Sequence, residues 1–203
     1  MNGELLRLIA ITDDVRDGQD GLIARAASAA RGGATCIQLR LKDVAARDLV
    51  AVARALLSAV SVPVIINDRA DVAIAAGAAG VHLGTDDVPA GAVRRITPAG
   101  FIIGVSVGND SEVAGARDAD YAGIGPVFAT GSKQDAGTAI GVSEFARLAA
   151  ATGLPAVGIG GIDVGNAALV TGAGAAGVAA ISAIFGAKDP AAAAQALLSA
   201  IES

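Results

Sequence analysis

Gln38, Arg40 and Lys42 alternate along the chain. Alternate residues of an extended segment project to one side, so two cations and an amide converge there. That combination matches a polyanionic ligand, because Arg can hold phosphate oxygens bidentately and Lys adds a point charge. The competing reading is a strand edge with solvent-facing charges. Asp68 and Asp87 each follow a short apolar run. Beside a cationic pocket they suggest a Mg²⁺ site, since Mg²⁺ takes one or two protein carboxylates and completes its octahedron with water and phosphate oxygens. Asp86 competes with Asp87, and residue type does not separate them. Gly160-Gly161 would let backbone approach a second anion, and Ile181-Ser182 would offer N–H groups at the opening of a short helix. His82 is the only histidine, but its place after Val81 in a short apolar run predicts a structural hydrogen-bonding role. Cys36 sits in another apolar run and should pack as a small hydrophobe.

The elements that must position these residues are short. Apolar or β-branched runs at 6–11, 35–39, 62–66, 80–83, 102–105, 121–124, 156–159 and 177–180 read as strands. Helical apolar spacing marks 21–31, 47–60, 143–151 and 166–171 between them. Strands without polar alternation imply a parallel sheet buried on both faces. Eight such units predict a single (β/α)₈ barrel, an α/β TIM barrel spanning 1–203 as one catalytic domain, with a doubly wound sheet as runner-up. Gly32-Gly33, Gly77 and Gly172 punctuate the helix ends, and Asp189-Pro190 should open the last helix. Seven polar clusters directly follow strands, and in a barrel the carboxyl ends of the strands carry the chemistry.

Composition narrows the class. The chain has 203 residues, 53% hydrophobic, and one cysteine, which excludes an intrachain disulfide and suits a reducing compartment. Mean hydropathy is +0.59, yet Gly and charged residues interrupt every stretch before it reaches the roughly 18–20 apolar residues of a membrane span. The opening Met1-Asn2-Gly3-Glu4 lacks the basic region of a secretory signal, so a cytoplasmic location is expected. A net charge of −5 without a basic stripe argues against nucleic-acid binding. The expected partners are small molecules, with no membrane, and a homo-oligomer is left open.

Taken in order, QLRLKD at 38–43, NDR at 67–69, HLGTDD at 82–87, GVS at 104–106, GPVFATGSK at 125–133, GIGGI at 158–162 and GVAAISAI at 177–184 resemble the thiamine phosphate synthase family. The resemblance covers essentially the whole chain. It implies a Mg²⁺-dependent transferase that joins 4-amino-2-methyl-5-hydroxymethylpyrimidine diphosphate to a thiazole phosphate, releasing diphosphate through a pyrimidine cation. It further implies that Gln38, Leu39, Arg40, Leu41, Lys42, Asn67, Ser106 and Lys133 bind the pyrimidine diphosphate, with Arg40, Lys42, Ser106 and Lys133 catalytic. Thr130, Gly131, Ser132, Gly161, Ile181 and Ser182 would hold the thiazole phosphate, and Asp68 and Asp87 the metal. The chain departs from the family pattern at Leu41 (usually Glu), Thr85 (often Gln) and Gly108 (often His). The rival readings are a thiazole tautomerase and a non-catalytic barrel that binds thiamine precursors. Retention of the whole diphosphate and metal set argues against both.

Overall fold

The computed structural model describes residues 3–13, 15–131 and 137–202. Eight strands, β1 (Leu8–Ile11), β2 (Cys36–Leu39), β3 (Val64–Asn67), β4 (Gly80–Leu83), β5 (Ile102–Val107), β6 (Tyr121–Ile124), β7 (Ala156–Ile159) and β8 (Gly177–Ala180), pair in sequence order. Every pair is parallel, and Leu8 opposite Val178 closes the sheet into a barrel. The closed order excludes the doubly wound alternative.

The absence of polar alternation has a concrete origin. Successive side chains point to opposite faces of a strand, and here both faces are dry. Inward-facing Ile9, Ile11, Cys36, Ile65, Tyr121, Val157 and Ala179 form one core inside the barrel. Outward-facing Leu8, Ile37, Val64, Val81, Ile103, Ala122 and Val178 form a second, under the helices. Helix α1 (Gly18–Arg31) buries Leu22, Ala26 and Ala29, and α2 (Ala46–Ala59) buries Leu49, Val52, Ala53 and Leu56, both at i, i+3, i+4 spacing. Short helices α3 (Ala70–Ala76), α4 (Ala90–Arg94) and α5 (Asp110–Val113) follow β3, β4 and β5. Then come α6 (Gly141–Thr152), α7 (Ala167–Gly172), α8 (Ser182–Phe185) and α9 (Pro190–Glu202). Asp189 caps α9 as expected, accepting from the N–H groups of Ala191 and Ala192 at 3.0 and 3.1 Å.

Most boundaries shift from the sequence expectation by one to three residues, and two of the shifts bear on the site. Residues 3–6 form a 3₁₀ turn that drops Leu5 and Leu6 into the barrel floor, so β1 starts at Leu8 instead of residue 6. Strand β5 runs on to Val107, which places Ser106 inside the strand. No helix among the described residues is long and apolar enough to cross a membrane.

Candidate functional site

A cavity of about 550 Å³ opens at the carboxyl ends of the strands. Arg40 and Lys42 from the β2 end, Asn67 and Asp68 from β3, and Asp87 with Asp86 from beyond β4 line one side. Ser106, Thr130, Gly161, Ile181 and Ser182 line the rest. The residues singled out by sequence or resemblance that share this chamber include Arg40, Lys42, Asn67, Asp68, Asp86, Asp87, Ser106, Thr130, Gly160, Gly161, Ile181 and Ser182.

Others do not line it. Leu39 and Leu41 face the outer core, as alternation about Arg40 requires. Gln38 is 3% exposed and turned into the barrel, where it neighbours the Tyr121 hydroxyl. Of the alternating trio, Arg40 and Lys42 line the cavity, whereas Gln38 lies deeper, within the barrel interior. Gly131 is exposed and lies off the lining, and Ser132 and Lys133 fall outside the described residues. Arg69 of the NDR motif turns to the surface, where it grips Asp71 through two hydrogen bonds of 2.9 and 2.6 Å.

Local structure aims the lining groups. Thr12 is fully buried at the β1 end, and its hydroxyl takes both polar groups of the Arg40 backbone: it accepts from the N–H at 2.8 Å and donates to the carbonyl at 3.0 Å. Asp68 holds a left-handed backbone, φ 64°, uncommon for a residue with a Cβ. Its N–H is pinned to the His82 carbonyl at 2.7 Å. That turn brings its carboxyl to Asp87, which in turn accepts from the Gly84 N–H at 2.6 Å. Burial, then the charge of Asp87 and the hydrogen bond between the two carboxyls, push the Asp68 pKa up to about 6, although Arg40 and Lys42 pull the other way. Asp86 is exposed, so the facing carboxylate pair is Asp68 with Asp87.

Across the cavity, Gly160 and Gly161 have φ of 93° and 64°, a conformation L side chains rarely adopt, and a Cβ on Gly161 would run into the Phe128–Ala129 backbone. Asn166 steadies this turn by donating to the Gly161 carbonyl at 2.8 Å. Sequence reasoning missed Glu112 in the wall, whose carboxylate accepts from Gly108 N–H at 2.6 Å and from the Asn109 amide at 2.7 Å. An Asn two residues past β5, with Glu three residues on, was the available signal. His82 takes the hydrogen-bonding role expected of it, its ring bridging Ser106 and Tyr121. Cys36 is fully buried, and burial pushes its thiol far up, so it packs as an inert hydrophobe.

Comparison with known proteins is consistent along the whole chain. Residues 8–184 match a family model described as thiamine monophosphate synthase. A thiamine-phosphate synthase of Roseiflexus sp. (strain RS-1) is 50% identical over 95% of this chain and 84% of its own length. One from Xanthobacter autotrophicus is 47% identical over 97% and 95%. Among solved structures, a thiamine phosphate pyrophosphorylase from Pyrococcus furiosus superposes with a TM-score of 0.87 at 35% identity, covering 98% of this chain and 97% of that one.

Proposed function

The chain belongs to the thiamine monophosphate synthase family, and on that premise we propose that it condenses the aminopyrimidine methyl diphosphate with the thiazole phosphate at this cavity. The observation that carries the reading is the juxtaposition of Arg40 and Lys42 with the Asp68–Asp87 pair in one chamber, opposite the Gly160-Gly161 turn. A tautomerase acting on the thiazole phosphate alone would need none of the first four.

A divalent cation fits the donors. Two carboxylates held together, one of them so disfavoured as an anion that its pKa approaches 6, are relieved by a cation between them. Mg²⁺ held by Asp68 and Asp87 would neutralise charge on the diphosphate. Arg40, Lys42 and Lys133 bind the diphosphate oxygens, and Asn67 donates to them from the β3 end. The bond between the methylene carbon and the bridging oxygen breaks with its electron pair leaving on diphosphate. The cation left on the methylene is stabilised by the pyrimidine ring, and the thiazole nitrogen lone pair closes the new C–N bond. No proton leaves in bond formation, so no general base is required. Ser106 orients the pyrimidine, while Thr130, Ser132, Gly161, Ile181 and Ser182 hold the thiazole phosphate at the height where its nitrogen faces the methylene. The work of the protein is alignment and charge stabilisation of the departing group.

Mixing the purified chain with both substrates and Mg²⁺ should form thiamine phosphate and diphosphate in equal amounts. Binding of the thiazole phosphate with no product would overturn the reading.

A further inference from the structure

A hydrogen-bonded chain of side chains runs beneath the cavity floor from β6 through β4 to β5. The Tyr121 hydroxyl, with Gln38 beside it, lies 2.9 Å from His82 Nδ1, and His82 Nε2 lies 3.1 Å from Ser106 Oγ. Gln38, Tyr121 and His82 are all nearly or fully buried, whereas Ser106 is half-buried and lines the cavity. The strands make room for the rings. Gly104 sits opposite Tyr121 in the β5–β6 register, and a Cβ there would overlap the phenol. Gly123 sits opposite Ser106, and its Cβ would stand 2.9 Å from His82 Cε1. Glycine in a strand interior weakens the strand, so two glycines clearing space for one pair of rings mark a specified arrangement.

The direction of the chain can be worked out from the donor and acceptor inventory. Tyr121 is buried, and a buried hydroxyl needs an acceptor for its hydrogen; the hydrogen-bond partner beside it is His82 Nδ1, 2.9 Å away. The phenol then gives its one hydrogen to His82 Nδ1. A neutral imidazole with an accepting Nδ1 carries its hydrogen on Nε2 and donates it to Ser106 Oγ. The serine oxygen accepts from below, and its own hydrogen turns into the cavity.

We propose that His82 is a positioning residue: through its Nε2–H it fixes Ser106 as a hydrogen-bond donor to the cavity, selecting a heterocycle that presents a ring-nitrogen acceptor there. The assignment of that heterocycle rests on the functional reading above. A site built to donate one hydrogen bond rejects an analogue lacking the acceptor, because its buried donor is left unmatched.

The chain has a single histidine, so ¹⁵N-histidine labelling reports this ring alone. In the ligand-free protein the expected spectrum has a protonated Nε2 and a bare Nδ1, and Tyr121→Phe should erase that preference. A hydrogen on Nδ1 in the parent protein overturns the proposal without any variant having to fold. Kinetics supply the second arm. Ser106→Ala and His82→Leu should each lower kcat/KM for the pyrimidine diphosphate by about tenfold, the scale of one neutral hydrogen bond. The double variant should lose no more than either alone, and His82→Gln, whose amide can reach the Nε2 position, should recover most of the rate. Losses that multiply would overturn the positioning role. Absence of synthase turnover in the parent, whatever the tautomer, would instead overturn the functional reading and with it the pyrimidine as the selected heterocycle.

Discussion

The two mouths of the barrel handle charge in opposite ways. At the amino-terminal mouth a cavity of about 710 Å³ is lined by Arg94, Asp120 and Phe101. Its charges are matched: Arg94 donates to Asp120 at 2.6 Å and to the Phe101 carbonyl at 2.6 Å, and Asp120 also accepts from the Ile103 N–H at 2.7 Å. At the carboxyl-terminal mouth, Asp68 and Asp87 are pressed together instead, with Arg40 and Lys42 on the same side of the chamber. The functional end of this barrel is marked by like charges held together by the backbone, because folding alone gains nothing from them and a ligand can.

Substitutions at the two mouths should consequently split turnover from stability. The largest effects fall on turnover at the upper mouth. Arg40→Ala and Lys133→Ala should each lower kcat by on the order of 10², the loss from removing one preorganised charge contact, with little change in Tm. Near-normal turnover in either variant would remove that residue from the diphosphate site. At the lower mouth, Asp120→Ala should do the reverse, leaving kcat intact and lowering Tm by roughly 5 °C as Arg94 and the Ile103 N–H lose their acceptor.

Asp68→Asn sharpens the contrast, because it should weaken Mg²⁺ dependence while raising Tm in the presence of a chelator. The folded protein holds the Asp68 pKa at about 6, above the 3.8 of an unperturbed aspartate. Its favourable protonated state is thus fully present below 3.8, and the stability it gives is lost as pH rises through 6. The Tm advantage of Asn should accordingly be absent near pH 3.5, grow between about 4 and 6, and level off above. A Tm difference that does not vary with pH would sink this account of the carboxylate pair. The smallest effect is expected from Thr12→Val, which keeps shape but strips the hydroxyl that holds the Arg40 backbone. It should raise KM for the pyrimidine diphosphate roughly fivefold, and Thr12→Ser should restore it.

Much of this contrast could be read in the sequence, and the part that could not has a physical reason. The eight apolar runs were legible because both strand faces are dry, and polar residues clustered after them because strand ends alone reach the cavity. Arg40, Lys42, Asn67, Asp68 and Asp87 followed from that rule. Gln38 looked like a third cavity residue because alternation gives the side of a strand but not the depth at which the barrel interior fills. Likewise, nothing in the local pattern around His82 says that Tyr121, 39 residues later, shares its layer with Gly104 between them. Such partners depend on barrel register, which short strands encode only through the closed set of pairings. Residue type left Asp86 and Asp87 equivalent and only the resemblance favoured Asp87; the physical reason is the Asp68 backbone turn, which fixes the carboxylate it meets.

The central claim is that the upper mouth ionises a pyrimidine diphosphate and delivers it to a thiazole phosphate. The most direct test follows diphosphate release from the pyrimidine diphosphate with and without the thiazole phosphate and Mg²⁺. Release that requires both, matched mole for mole by thiamine phosphate, is the predicted result. No release under any combination, with the thiazole phosphate still bound, would contradict it and favour a tautomerase or a precursor-binding barrel.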